Sequence, residues 1–304
     1  MNKKHKIIGI ITLLASIIIS IFAMVPISNI KESSIWMSKV DDNKKIVELS
    51  IPGTHDSGAT HSIFDVAGKC QDLSIKQQLK IGVRFFDIRL QQVNDSLNVV
   101  HSFVDQNLSF EKVLKDMDGF IKENNSEFLI VSIKEDADSK NSNKSFDKLV
   151  LEYLNRYDKT ICLDNNLPET IKEARGKIYI LSRFSSEIGI QAYMGWQDST
   201  TFTIDNLYVQ DNYCIDDIYI KKEDILNTLN YSKTNQDKLV LNFTSCYLDY
   251  GFPPTYAAPP AKDINPWLIK TINENDDSVG IIVADFISKE MASAIYKRNI
   301  LWKD

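Results

Sequence analysis

Apolar runs without period-two alternation constrain this chain more than any other feature. Phe128-Leu-Ile-Val-Ser-Ile-Lys134 is apolar almost to its last residue, and Leu239–Ser245 and Val279–Phe286 are built similarly. A strand that is apolar on both faces must be covered on both, as in a parallel sheet with helices packed outside it. Further strands are predicted at Ile46–Ile51, Val83–Leu90, Leu97–Val100 and Lys177–Arg183. Segments with helical spacing alternate with them. They are Leu73–Ile81, Phe110–Ile121 (Val113, Leu114, Met117 and Phe120 on one face), a charged helix over Ser145–Tyr157, Ile218–Tyr231 and Lys289–Arg298. This alternation predicts an α/β fold with a mostly parallel sheet. With 304 residues, one distorted TIM-type βα barrel is preferred over an open sheet.

The runs share a second property: they end in residues that can do chemistry. His55, Arg89, His101, Lys134, Arg183 and Asp285 each stand at or near the C-terminal end of an apolar run. In a βα barrel those ends converge on one face, where active sites lie. The most informative stretch is Leu49-Ser-Ile-Pro-Gly-Thr-His-Asp-Ser57, in which a strand breaks at a Pro-Gly turn and presents His55 and Asp56. In Val83-Arg-Phe-Phe-Asp-Ile-Arg-Leu90, Asp87 and Arg89 are two apart and so share one side of a strand. Two histidines suit a reaction that takes a proton from one oxygen and gives one to another. An arginine between them can hold a phosphate oxygen. An aspartate behind a histidine fixes its tautomer. His61 has no strand before it and is read as a surface residue.

The net charge of −6 and pI near 5.4 argue against a nucleic-acid partner. Lys3, Lys4 and Lys6 precede an uncharged apolar run from Ile7 to Val25, which reads as an export segment within residues 1–30. The run nearly reaches the length of a membrane span. A cleaved signal peptide and a retained N-terminal anchor both fit, so the protein is expected to be exported, either secreted or held on the outer face of the membrane. Residues 36–304 are then the barrel domain. Cys70, Cys162, Cys214 and Cys246 show no metal-binding spacing and are read as buried free thiols.

Residues 40 to 300 resemble bacterial phosphatidylinositol-specific phospholipase C, the X-domain family. The resemblance lies in Ser-Ile-Pro-Gly-Thr-His-Asp-Ser, Gly-Val-Arg-Phe-Phe-Asp-Ile-Arg, the following Val-His, and the segments 128–135, 174–183, 242–245 and 279–286. It implies a phospholipase C that cleaves phosphatidylinositol to diacylglycerol and inositol 1,2-cyclic phosphate. His55 would be the general base, oriented by Asp285, and Arg89 would hold a phosphate oxygen. His101 would be the general acid, with Asp56 assisting. Lys134, Arg183, Asp211 and Tyr213 would read the inositol ring. Barrel phosphodiesterases that use a divalent ion often carry Glu-x-Asp where this chain has Asp87-Ile-Arg89; the arginine favours a metal-independent mechanism without a cofactor. One departure is Ser102, where the family usually has glycine.

Lipid access asks for an apolar rim, expected at Ile63-Phe64 with Val66 and in the aromatic, proline-containing loop Tyr247–Tyr256. The expected partner is phosphatidylinositol in a membrane, with glycosylphosphatidylinositol anchors as a further substrate. Two alternatives remain: a related barrel phosphodiesterase for another glycerophospholipid, or a catalytically weak lipid-headgroup-binding module.

Overall fold

The computed structural model describes residues 35–61, 68–102, 104–248 and 256–300. The export segment, Ile63, Phe64, Val66 and residues 249–255 of the expected rim lie outside them. A 12-stranded sheet organises the rest. Its parallel staves are β1 (Ile51–Thr54), β2 (Phe85–Val93), β5 (Leu129–Lys140), β7 (Ile178–Arg183), β10 (Leu207–Gln210), β12 (Leu239–Phe243) and β14 (Ile281–Ala284). They lie in the order β7-β5-β2-β1-β14-β12-β10, all paired parallel. Short strands border the two ends: β6 (Ile161–Cys162) and β8 (Ile190–Gln191) on β7, and the antiparallel β9 (Thr201–Ile204) on β10. Apart from this sheet, β11 (Cys214–Ile215) pairs with β13 (Tyr247–Leu248), so the segment expected as a loop over Tyr247–Tyr256 begins as a short strand. Among the described residues no ladder joins β7 to β10, so the barrel is distorted, as the sequence predicts.

Although these strands are apolar on both faces, their period of two still sorts the side chains. Phe86, Ile88, Val131, Ile133, Ile178, Ile180 and Ile282 pack outward with the helices. Those helices include α1 (Ile75–Ile81), α2 (Phe110–Glu123) and α3 (Phe146–Leu154). Phe85, Ile130, Tyr179, Leu181, Val209, Leu241, Phe243, Ile281 and Val283 form the second cluster, inside the barrel. Two residues further along each strand, the same inward parity passes from core to mouth.

Three predicted elements differ from the structure. Ile46–Glu48 is a 3-10 turn and the strand begins at Ile51, where its N–H meets the Gly280 carbonyl at 2.9 Å. Ile46 and Leu49 are buried with Trp36 and Met37 and close the barrel's lower end. Leu97–Val100 belongs to β3 (Ser96–His101), but β3 runs antiparallel to β2 and continues into β4 (Val104–Ser109). The turn between β2 and β3 places Asn94 and Asp95 at φ 48 and 56°, as a two-residue hairpin requires. The third difference is a helix that no sequence pattern predicts, α6 (Ala258–Asn273), which three prolines disguise. Pro259 and Pro260 stand in its first turn, where the missing N–H costs nothing. Before α6 come α4 (Ile171–Ala174) and α5 (Ile218–Thr234); after it comes α7 (Lys289–Tyr296).

Under the barrel, Arg84 and Glu127 form an ion pair with no solvent exposure. Arg84 Nε and Nη2 lie 2.9 and 2.8 Å from Glu127 Oε2, and Nη1 donates to the carbonyls of Leu79 and Val83. Breaking one side leaves a buried charge uncompensated. Glu127→Ala is therefore expected to lower unfolding free energy by about 3–5 kcal/mol, read from urea titrations. A loss under about 1 kcal/mol would mean that the pair behaves like a surface one.

Candidate active site

The mouth is assembled by strand register. Thr54 pairs with Ala284 on parallel neighbours, so the next residues, His55 and Asp285, stand side by side. His55 Nδ1 lies 2.8 Å from Asp285 Oδ1. Arg89 continues the inward parity of Phe85 and Asp87, and its Nη2 lies 2.9 Å from His55 Nε2. A guanidinium has no acceptor, so it donates, and Nε2 carries the lone pair. His55 Nδ1–H then donates to Asp285. The pair thus holds the tautomer that leaves Nε2 free to act as a base.

Arg89 is the hub of a carboxylate ring. Its Nε lies 3.2 Å from Asp87 Oδ2 and 3.7 Å from Asp56 Oδ2, and its Nη1 lies 3.6 Å from Asp136 Oδ1. Burial opposes ionisation of Asp87, but Arg89 and Arg183 outweigh it and hold that carboxyl well below its usual range. Asp136 is also buried, and Arg89 and Lys134 bring it down to about 2. Asp56 is different: burial dominates over Arg89 and His55 and pushes it up to about 7. Among the described residues, neither of its oxygens has a hydrogen-bond partner.

His101 arrives by another route than the parallel strand ends that the sequence predicts. The β2–β3 hairpin reaches beyond the barrel, and β3 returns with Val99 opposite Leu90, which carries His101 back over the mouth. Its Nε2 lies 3.7 Å from Asp56 Oδ2, too long for a hydrogen bond. Burial, together with His55 and Arg89, lowers His101 to about 4. Burial thus favours the neutral form of both groups on this side. The two titrate as one acid pair.

The remaining expected residues line the same cavity of about 550 Å³: Lys134, Arg183, Asp211 and Tyr213. Asp56 lies behind it, fully buried. Lys134 Nζ donates to Asp136 Oδ1 at 2.7 Å. Arg183 approaches Asp87 at 3.4 Å and Asp211 at 3.8 Å, with its guanidinium 3.6 Å from the Trp196 ring centroid. Tyr213 Oη donates to Asp198 Oδ1 at 2.5 Å. Val209 and Gln210 end β10, and the loop that carries Asp211 and Tyr213 follows directly. A larger cavity of about 650 Å³ opens at the barrel's other end around Val47, Leu167 and Leu239, with no histidine, cysteine or arginine in its lining.

Several residues of the site escape a reading of the sequence. Gln71 Nε2 donates to the carbonyls of His55 and Ala284, each at 2.8 Å, and clamps β1 to β14 beneath the base. Gln78 donates to the Ser57 carbonyl at 2.8 Å and accepts from Thr54 Oγ1 at 2.8 Å. Trp196 donates to Asp211 Oδ2 at 3.2 Å. Only Asp136 had a signal, two residues after Lys134 and so on the same strand face. His61 is exposed, as expected. All four cysteines are free, but only Cys70 and Cys246 are buried; Cys162 and Cys214 are partly exposed.

The residue following each of His55, His101 and Asp285 is left-handed: Asp56 at φ 41°, Ser102 at 52° and Phe286 at 47°. Such turns cost a side-chain-bearing residue about 1 kcal/mol or more. They redirect the chain at the residue that must face inward. Ser102 donates its N–H to Asp136 Oδ2 at 2.8 Å, which holds the strained turn in place.

The family profile described as phosphatidylinositol-specific phospholipase C, X domain, matches residues 49–184. The chain is 30% identical over 288 residues to the 1-phosphatidylinositol phosphodiesterase of Listeria monocytogenes, covering 90% of this chain and 87% of that protein. It is 34% identical over 276 residues to the protein of that name from Staphylococcus aureus strain Newman, covering 83% and 87%. A structure of the S. aureus phosphatidylinositol-specific phospholipase C superposes with a TM-score of 0.79 at 31% identity, covering 88% of this chain and 98% of that one. The Listeria structure gives 0.72 at 26%, with the same coverage.

Two outcomes follow from this geometry. Ser102→Gly is expected to raise unfolding free energy by about 1 kcal/mol, since glycine adopts this φ without strain; an unchanged or lower value in urea titrations would contradict it. Asp56 has its folded pKa raised from 3.8 to about 7, so its stabilising contribution is complete below the unfolded value and is lost as pH rises through about 7. The stability of the wild type relative to Asp56→Asn, which cannot titrate, should fall across that window. A flat difference would show Asp56 to be an ordinary carboxylate.

Proposed function

This chain belongs to the family of phosphatidylinositol-specific phospholipases C, and on that premise we propose that it cleaves phosphatidylinositol to diacylglycerol and inositol 1,2-cyclic phosphate. The observation that carries this reading is the chain of contacts from Asp285 through His55 to Arg89, 2.8 and 2.9 Å long. When a phosphodiester enters, its oxygen draws the Arg89 donors away from His55 Nε2. The same movement neutralises the phosphate and frees the lone pair of the base. Nε2 then takes the proton of the inositol 2-hydroxyl, whose oxygen forms the new bond to phosphorus. Asp285 stabilises the imidazolium that results.

As the bond from phosphorus to the glycerol oxygen breaks, that oxygen needs a proton. The Asp56–His101 pair supplies it: burial raises the proton affinity of Asp56 well above that of an ordinary carboxylate, and His101 stands nearer the cavity. Attack from within the substrate supplies the proximity advantage. Arg89 occupies the position of a metal ligand, and every proton transfer is accounted for by this chain's own residues. Lys134, Arg183, Asp211 and Tyr213 are assigned to the inositol hydroxyls. Buried groups left unmatched by another headgroup are costly, and this favours phosphatidylinositol over other glycerophospholipids.

Access to lipid requires an apolar rim. Tyr256 is partly exposed and lines the cavity, which supports a membrane role for the end of the Tyr247–Tyr256 loop. Phe64 and glycosylphosphatidylinositol anchors belong to the same proposal as rim residue and further substrate. The basic flank and apolar run of residues 1–30 support export, with residues 36–304 as the enzyme domain. That division places the enzyme outside the cell, secreted or anchored.

Incubation with phosphatidylinositol in excess chelator, followed by phosphorus NMR, is expected to give the cyclic phosphate at undiminished turnover. Activity restored only by calcium would reject the mechanism, and no product at all would favour a headgroup-binding module. His55→Ala and His101→Ala should each lose about 10²–10⁴-fold in kcat while keeping their unfolding midpoints. Substantial turnover in either would remove its assigned role.

A further inference from the structure

Cys70 has no part in the proposed chemistry, yet it lines the cavity between the two acid–base pairs. Two clusters share it among the described residues, His55–Cys70–Asp285 and Asp56–Cys70–His101. In each, one nitrogen, sulfur or carboxylate oxygen from every member lies within 4.8 Å of the others. The first cluster is already satisfied internally, because His55 and Asp285 hydrogen-bond to each other at 2.8 Å. The second is not. Among the described residues, both Asp56 oxygens and His101 Nδ1 are buried without a hydrogen-bond partner, and Asp56 has no exposure.

We propose that Asp56, Cys70 and His101 form an inhibitory site for a thiophilic divalent cation of the Zn²⁺ type. A carboxylate oxygen, a thiolate sulfur and an imidazole nitrogen form a borderline-soft donor set that suits Zn²⁺. Ca²⁺ and Mg²⁺ prefer all-oxygen shells. Three protein ligands leave a fourth position open to water from the cavity. Burial and the Asp285 and Asp56 carboxylates hold the Cys70 thiol well above its usual range, and it hydrogen-bonds to Asp285. The cation must displace that proton, which leaves to solvent as the sulfur–metal bond forms, and any proton on Asp56 leaves with it. Arg89 Nε, 3.7 Å from Asp56 Oδ2, opposes the cation. The site therefore acts as a brake of moderate affinity rather than a seat for a resident metal. Inhibition rests on the reading of Asp56 and His101 as the acid pair: a cation bound there takes up the groups that protonate the leaving oxygen.

The test uses the full chain with chelator-free Zn²⁺, Ca²⁺ and Co²⁺. Zn²⁺ should inhibit turnover and equal Ca²⁺ should not. Cys70→Thr should retain basal turnover and need about tenfold or more Zn²⁺ for the same inhibition. Bound Co²⁺ should show a thiolate-to-cobalt charge-transfer band in the wild type and in a Cys162→Ser/Cys214→Ser control, but not in Cys70→Thr. Zn²⁺ inhibition of equal strength in Cys70→Thr, or no cobalt band in the wild type, would overturn the site. A Cys70-dependent band without inhibition would support the site and overturn the acid-pair reading. Should Cys70→Thr fail to fold, Cys70→Ala serves in its place.

Discussion

One buried guanidinium holds this site together. Arg89 is only 14% exposed and faces three carboxylates and an imidazole. Burial works against its charge, but Asp87, Asp56 and Asp136 raise its pKa well above the usual value. A permanent cation at this point has several consequences at once. It keeps Asp87 and Asp136 ionised, it points the His55 lone pair outward, and it offers donors to a phosphate. A neutral or titrating side chain would give up at least one of these. Lysine would keep the charge but lose the planar fork that reaches several partners together.

The barrel supplies the geometry that Arg89 exploits. Each stave fills the interior with residues such as Phe85, Tyr179, Leu241 and Val283, then changes chemistry without changing parity. Phe85 leads to Asp87 and Arg89, Leu181 to Arg183, Val209 to Asp211, and Val283 to Asp285. The mouth is thus the polar continuation of the core, and register errors that would misplace the site would also turn the core outward. Core packing and site geometry are therefore enforced by the same constraint. Strain is concentrated where this parity stops. Asp56, Ser102 and Phe286 adopt left-handed backbone immediately after the three residues that must face inward. Gln71 and the Ser102–Asp136 hydrogen bond hold those turns. The serine at 102 shows that the turn tolerates a side chain when Asp136 anchors its N–H.

Much of this was legible in the sequence because it is local. Apolar runs, their period and the polar residues that end them identify the staves, and with them His55, Arg89, Lys134, Arg183 and Asp285. What required the tertiary structure depends on pairings between distant segments. The hairpin that returns His101 antiparallel to β2, the packing of Ile46 and Leu49 under the barrel, and Trp196 over Arg183 leave no trace in local spacing. Nor does the position of Cys70 between both acid–base pairs, or the lack of hydrogen bonds to the Asp56 oxygens among the described residues. Charge state is the clearest case: sequence identifies Asp56 as a carboxylate, but only its burial raises its pKa from 3.8 to about 7. Side-chain identity and period are properties of a segment, whereas desolvation and proximity are properties of everything folded around it.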